Sequence, residues 1–495
     1  MTEQINKTPE QLALEEKDRR TNLKKFCNSI LQKIGELDNY SGDRAIWELC
    51  QNARDLSDEA EIKISLDDTN LTFAHKGEPF NEDSLLSLVK QVSSEGKENA
   101  ETAGQFGTGF VTTHYFSRKF YLNGSFKTFT GKVFDLSRFE IDRSEDDINK
   151  FIEKMDNQIQ SVYKLLYNPE SSLREWTELI YPLIAETKAI ALRAMHACEK
   201  MLPEVLVLND RIKTVTLEYK LSNIHKNIVV TKGRTYQEED LNIQEILLYE
   251  DDKAPSTISV YFLQTDCKRI ILPLENERHA KSHEDIAKLF IWFPLLGTEE
   301  WGTNFIYHSS FYPLEKRNGI VLPCENPNQQ KAYEYNVAEL ERMNSILFDY
   351  LKKHVTEIDN SIELAKINFP SHNDDEKTQD FYRIQQQSWA SFFRTLPLID
   401  TPAGRKSLDE GVKIPNTEIC IFFADEEMRE NYFDAFYHFA STVATLPLKD
   451  ECLRWANIIH QWNLHDIQLH ELSLSEVAKK ASVEGELVNL HHFLE

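Results

Sequence analysis

The chain has 495 residues, 41% hydrophobic and 28% charged, with 56 basic against 81 acidic side chains and a formal charge of −25; that suits about two to four domains with real cores, not a disordered or fibrous chain. So acidic a balance argues against wrapping nucleic acid over the whole surface, while leaving room for a local basic patch. Seven scattered cysteines without paired spacing argue for reduced thiols in a cytoplasmic setting and against a zinc site, and neither an apolar leader in the opening MTEQINKTPEQ nor any membrane-length apolar run is seen.

In chain order, a helix through Leu23, Phe26, Ile30 and Ile34 is predicted to pack beside a second helix over Ala45–Asp55. In the second helix Glu48, Asn52 and Asp55 fall on one face, and Ile46, Leu49, Ala53 and Leu56 gather on the other. An ordinary amphipathic helix sends its polar stripe to water. A carboxylate, an amide and a second carboxylate in that order also suit a metal-bound phosphate and its attacking water. Glu61–Phe73 alternates as a hairpin around the polar turn Asp67–Asn70 and delivers His75, Gly77, Pro79 and Phe80 at a strand end. The polar stretch 92–103, with Ser94 and Lys97, has little to bury and fits an active-site lid.

Next comes GQFGTGF, Gly104–Phe110, whose glycines let backbone N–H groups approach phosphate oxygens. No Gly-Lys-Ser/Thr occurs, so this is not a P-loop, and the glycine run does not directly follow its strand as a dinucleotide fingerprint would. Aromatic-rich strands are expected within Lys119–Phe139, a helix over Asp146–Leu166, and a strand over Trp176–Leu183 that carries Thr177. A helix over about Ala185–Met201 and strands Val205–Leu208 and Thr214–Tyr219 would complete a first domain spanning 20–225. A second region, 226–370, offers strands Glu245–Tyr249, Thr257–Leu263 and Arg269–Leu272, then the segments Leu289–Thr298 and Phe305–Gly319, the latter with Lys316 and Arg317. Ser371–Thr378 reads as a polar linker, and 371–495 as a mainly helical region without a catalytic constellation.

On the ordered set Glu48, Asn52, His75-Lys-Gly-Glu-Pro-Phe80 and Gly104–Phe110, the chain resembles the GHKL (Bergerat-fold) ATPase superfamily. The likeness is strongest to sacsin-like and heat-shock-90-type ATP-binding domains, the former having a His-x-Gly-x-Pro-Phe box where others have Asp-x-Gly-x-Gly. It implies an α+β fold over 20–225, a two-layer α/β sandwich with a mixed sheet and helices on one face, then a transducer-like α/β domain over 226–370. It implies ATP and Mg2+ as ligands. Carried over by residue, Glu48 is the general base, Asn52 the magnesium ligand, and Asp55 a neighbouring nucleotide-side carboxylate. His75 stands where an aspartate would bind the adenine amino group, with Gly77, Phe80 and Thr177 on the base side. Gly104, Gln105, Phe106, Gly107, Thr108, Gly109 and Phe110 form the phosphate box, and Ser94 and Lys97 are lid contacts. Lys316 and Arg317 are the cations that the following domain would send to the γ-phosphate. A neutral imidazole at 75 accepts one hydrogen bond but lacks the carboxylate's charge and second acceptor.

Three functional readings stay open at this point. One is an ATP-driven conformational switch of sacsin-like or chaperone-like type that acts on a protein partner or client and closes as a homodimer with ATP. Another is the ATPase subunit of a nucleic-acid-handling or defence complex, and the third a non-hydrolysing nucleotide sensor. A histidine kinase is disfavoured, because only about twenty mostly polar residues precede the first domain.

Overall fold

The computed structural model describes residues 8–37, 41–91, 109–266, 268–274, 286–370, 375–416, 419 and 433–483. They form a mixed α/β protein whose chain divides into two compact units, Met1–Thr235 with Gln244–Ser259, and Tyr236–Ile243 with Val260–Glu495.

The first unit opens with α1 (Pro9–Gly35), whose start is closed by a reciprocal cap: the Thr8 hydroxyl accepts from Gln11 N–H and the Gln11 side chain accepts from Thr8 N–H. Helix α2 (Ser41–Asp55) and the hairpin of β1 (Ala60–Asp67) and β2 (Asn70–Lys76) follow, then α3 (Glu82–Lys90). A short 3-10 helix, Gly109–Tyr115, leads into β3 (Lys119–Lys127), β4 (Val133–Asp142), α4 (Ile148–Leu165), β5 (Trp176–Pro182), α5 (Ala185–Leu208), β6 (Ile212–Leu221), β7 (Ile224–Glu238) and β8 (Leu241–Glu250).

Strand order here is β8-β7-β6-β1-β2-β5-β3-β4. The β1–β6 pair is parallel, and the β1–β2, β2–β5, β3–β5, β3–β4 and β6–β7 pairs are antiparallel. The alternation in β1 explains the layering. Ala60, Ile62, Ile64 and Leu66 are all buried, beneath α2 and α5, which pack on β1, β2 and β6. Residues between them point the other way and pair as charges: Lys63 with Glu218 at 2.6 Å and Glu61 with Lys76 at 3.1 Å. One face of the strands is therefore apolar and helix-covered, and the other is a ladder of ion pairs.

Two local expectations change. Val205–Leu208 is the end of α5 and not a strand; the helix runs on through Pro203, and all four residues are buried. A four-residue apolar run carries no period that separates helix from strand. Helix α1 packs chiefly on α4 and the 3-10 segment rather than beside α2, with the Cys27 and Met155 sulfurs 3.7 Å apart in that contact.

In the second unit, β9 (Ser256–Thr265) and β10 (Lys268–Leu272) pair antiparallel, and β10 pairs with the strand Ile306–His308. The helices Gln330–His354, Glu376–Phe393 and Cys452–Gln461 surround one apolar core. In it Phe305 stacks on Trp389 at 5.6 Å, Phe393 lies 6.0 Å from Trp462, and the Trp462 indole donates to Ala365 C=O. Residues before and after the predicted linker thus share a core. The described part of that linker starts a helix, because the Asp375 carboxylate accepts from the N–H groups of Lys377 and Thr378 and caps them. Among the described residues no helix is long and apolar enough to cross a membrane.

Candidate functional site

Helix α2 is covered almost all round. Ala45, Ile46, Trp47, Leu49, Cys50 and Ala53 are buried, and so are the polar Glu48, Gln51 and Arg54. A buried carboxylate is costly unless something compensates its charge, so what lies against Glu48 matters. It is Gly109, the first residue of the 3-10 helix. A β-carbon there would stand 2.9 Å from Oε1 of Glu48 and overlap the rest of its carboxylate. With Glu48 where it stands, a side chain at that position would have to displace the carboxylate.

Eight residues along, the carbonyl of Leu56 accepts from Glu78 N–H at 3.0 Å. A β-carbon at Gly77 would come within 3.0 Å of that same carbonyl oxygen and 3.4 Å of His75 Nδ1. Asn52 stands one turn on from Glu48, and Leu56, just past the end of α2, offers its backbone carbonyl one turn further, a span of about 12 Å at the helical rise. The two glycines singled out by the sequence therefore meet this span at its two ends, with the half-buried Asn52 between them.

His75, at the end of β2, is 4% exposed, and its Nδ1 finds no hydrogen-bond partner among the described residues. Burial pulls its pKa down to about 4, slightly opposed by the backbone of Lys76, so the ring is neutral at pH 7. Across the β2–β5 pairing it faces Thr177, which is also buried. The Thr177 hydroxyl oxygen lies 3.2 Å from where a β-carbon of Gly124 would be. Gly124 is a site neighbour that the sequence reading missed; its signal was a glycine inside an otherwise aromatic strand.

The other expected residues in this unit have these neighbours. Phe80 C=O accepts from Lys127 N–H at 2.8 Å, tying the turn after β2 to the end of β3. The half-buried Phe110 packs 5.6 Å from Phe120 and 6.3 Å from His114. Asp55 is held by Arg54 at 3.1 Å, with both side chains nearly covered. Arg143, also unanticipated, is fully buried; its guanidinium donates to the carbonyls of Leu88 and Val89, at the end of α3, and to the Gln158 side chain. Ser94, Lys97, Gly104, Gln105, Phe106, Gly107 and Thr108 lie outside the described residues.

Lys316 and Arg317 belong to the second unit. They sit in a tight loop closed by Leu314 N–H to Gly319 C=O and Arg317 N–H to Leu314 C=O, with Arg317 in the left-handed region at φ 50°. Lys316 is exposed and Arg317 half-buried. The chain matches no protein-family model and no curated protein.

Proposed function

We propose that this chain is a Mg2+-dependent ATPase of GHKL type that binds ATP along the Glu48–Asn52 face of α2, towards the backbone of Leu56 at its end, and hydrolyses it slowly to switch conformation. The observation that carries this reading is that face itself, with Gly109 bare against Glu48 and Gly77 bare against Leu56 and His75. The residues suit the ligand on two physical grounds: two glycines where side chains would fill the space, and a buried imidazole nitrogen without a partner among the described residues.

Bound there, Mg–ATP would bring the phosphoanhydride that is cleaved. Glu48 would take a proton from the attacking water. The Asn52 amide oxygen would hold magnesium, a cation that keeps several waters and needs few protein ligands. Neutral His75 would meet a base amino group through Nδ1. A cation such as Arg317 would answer charge on the transferred phosphoryl group. The output would pass to a protein partner or client.

Calorimetric Mg–ATP titration and phosphate release test this in the full chain. Glu48→Ala should keep binding and lose turnover by about 10²–10⁴-fold, while Asn52→Ala should weaken Mg2+-dependent binding itself. Equal turnover in wild type and Glu48→Ala would overturn the assignment of the base. Binding without any wild-type turnover would leave a nucleotide sensor.

A further inference from the structure

Within the second unit, two pairs of side chains far apart in sequence, Glu239 with Asp240 and His354 with Glu357, converge at the end of the helix Gln330–His354. His354 Nδ1 lies 3.0 Å from Oε2 of Glu357 and 3.1 Å from Oε2 of Glu239. Its other nitrogen, Nε2, lies 3.4 Å from Oδ2 of Asp240. The ring is stacked on Tyr350 at 4.8 Å, and its side chain is 14% exposed, so its orientation is fixed while the carboxylates stay open to solvent. Lys353 also faces this group, its Nζ 3.7 Å from Asp240.

A single Nδ1–H cannot be well aligned to two carboxylate oxygens at once. The carboxylates, Glu357 first, raise the pKa of His354, so as an imidazolium it donates from both nitrogens; once the ring is neutral and Nε2–H donates to Asp240, the Nδ1 lone pair faces two anionic oxygens. A cation at their meeting point removes that conflict. The three ligand atoms lie within 4.8 Å of one another. Ligand bonds of about 2.0–2.2 Å at a tetrahedral centre put neighbouring ligand atoms roughly 3.3–3.6 Å apart, a few tenths of an ångström wider than the 3.0 and 3.1 Å from His354 Nδ1 to the two glutamates. A carboxylate on the far nitrogen is the usual outer partner of a metal-bound imidazole.

We propose that His354 Nδ1, Glu239 and Glu357 bind a divalent transition-metal ion of the zinc class, with Asp240 orienting the imidazole. The ion joins the turn between β7 and β8 to the end of the long helix and leaves coordination positions for water. One nitrogen among oxygens favours zinc over magnesium, which seldom takes imidazole. The site is separate from the proposed ATPase site and does not depend on it.

The test is calorimetric titration of the nucleotide-free full chain with ZnCl2, at pH 6 and pH 7.5, in millimolar MgCl2. One saturable site should appear at pH 7.5 and weaken at pH 6, because protons compete for the ring. Glu357→Gln, at an exposed position that should leave folding intact, should lower affinity at least about tenfold, and His354→Gln should abolish that site. Asp240→Asn should weaken it by about 10–100-fold without removing it, as expected of an outer partner. The proposal is overturned if the folded Glu357→Gln protein binds zinc as the wild type does, or if the wild type shows no saturable zinc site.

Discussion

His75 and Thr177 face each other as Cα partners across the antiparallel β2–β5 pair, both buried, with His75 Nδ1 left without a hydrogen-bond partner among the described residues. If that nitrogen meets the adenine edge, His75→Leu should weaken ATP binding by about 1–3 kcal/mol, the cost of leaving a buried amino group unpaired. His75→Asp should hold or tighten it, because a carboxylate adds charge and a second acceptor. Titration of the three proteins with ATP and GTP decides the matter. Identical affinities throughout would put His75 outside the pocket.

Acid should destabilise the first unit through its buried imidazoles. His114 is pulled down to about 3, first by burial and then by the Arg143 charge, and His75 to about 4 by burial. A histidine whose folded pKa is lowered binds its proton more readily when unfolded. Stability is therefore complete above the ordinary value near 6.5 and falls as the pH drops towards the folded value, by up to about 1.4 kcal/mol per pH unit for each ring. His114→Phe, placed against Phe110 and Phe120, removes one titrating group while keeping ring packing. Urea midpoints at pH 7.5 and pH 5 should lie closer together in His114→Phe than in wild type. An unchanged gap would mean that His114 does not titrate on unfolding.

What the sequence revealed depended on how local the cause was. The α2 stripe, the β1–β2 hairpin and the strand over Trp176–Leu183 follow from period alone, whereas the pairing of that strand with β2 at His75 is seen only in the fold. Asp55 illustrates the first limit. Periodicity put it on the polar face of α2, and its neighbour Arg54 lies buried beside it at 3.1 Å; a helical wheel does not reveal a pairing between adjacent residues. Val205–Leu208 illustrates another, since a fully buried helix end and a buried strand have the same composition. The shared core of Phe305, Trp389 and Trp462 and the cluster at His354 join residues many positions apart. Spacing rules reach only neighbours, and neither could be read before the chain was folded.

The loop bearing Lys316 and Arg317 gives a sharp contrast between two neighbours. Should the second unit supply a γ-phosphate cation, one of the two substitutions, Arg317→Ala or Lys316→Ala, should abolish phosphate release with ATP affinity kept, and the other should change little. Arg317 is the expected one, being half-buried where Lys316 is exposed. A surface role for both predicts effects within about 0–1 kcal/mol on stability and none on turnover. Steady-state rates with a parallel binding titration separate these outcomes.

The contact between Gly109 and Glu48 can be tested without nucleotide. Gly109 is not in the left-handed region, so alanine is compatible with its backbone and would by itself add about 0.4–1 kcal/mol by restricting the unfolded chain. Yet its methyl would overlap the Glu48 carboxylate. Moving a buried carboxylate aside should cost about 1–3 kcal/mol, as overpacking does. Gly109→Ala should therefore lower the urea midpoint in wild type and leave it unchanged, or raise it, in Glu48→Ala, where the obstructing group is gone. The double-mutant cycle should show a coupling of at least about 1 kcal/mol. If Glu48 is the general base as proposed, ATP turnover should fall in Gly109→Ala as well, because that carboxylate would be displaced. Additive stability effects would mean that the glycine and the carboxylate do not share this space, and the lower end of the nucleotide stripe would lose its structural basis.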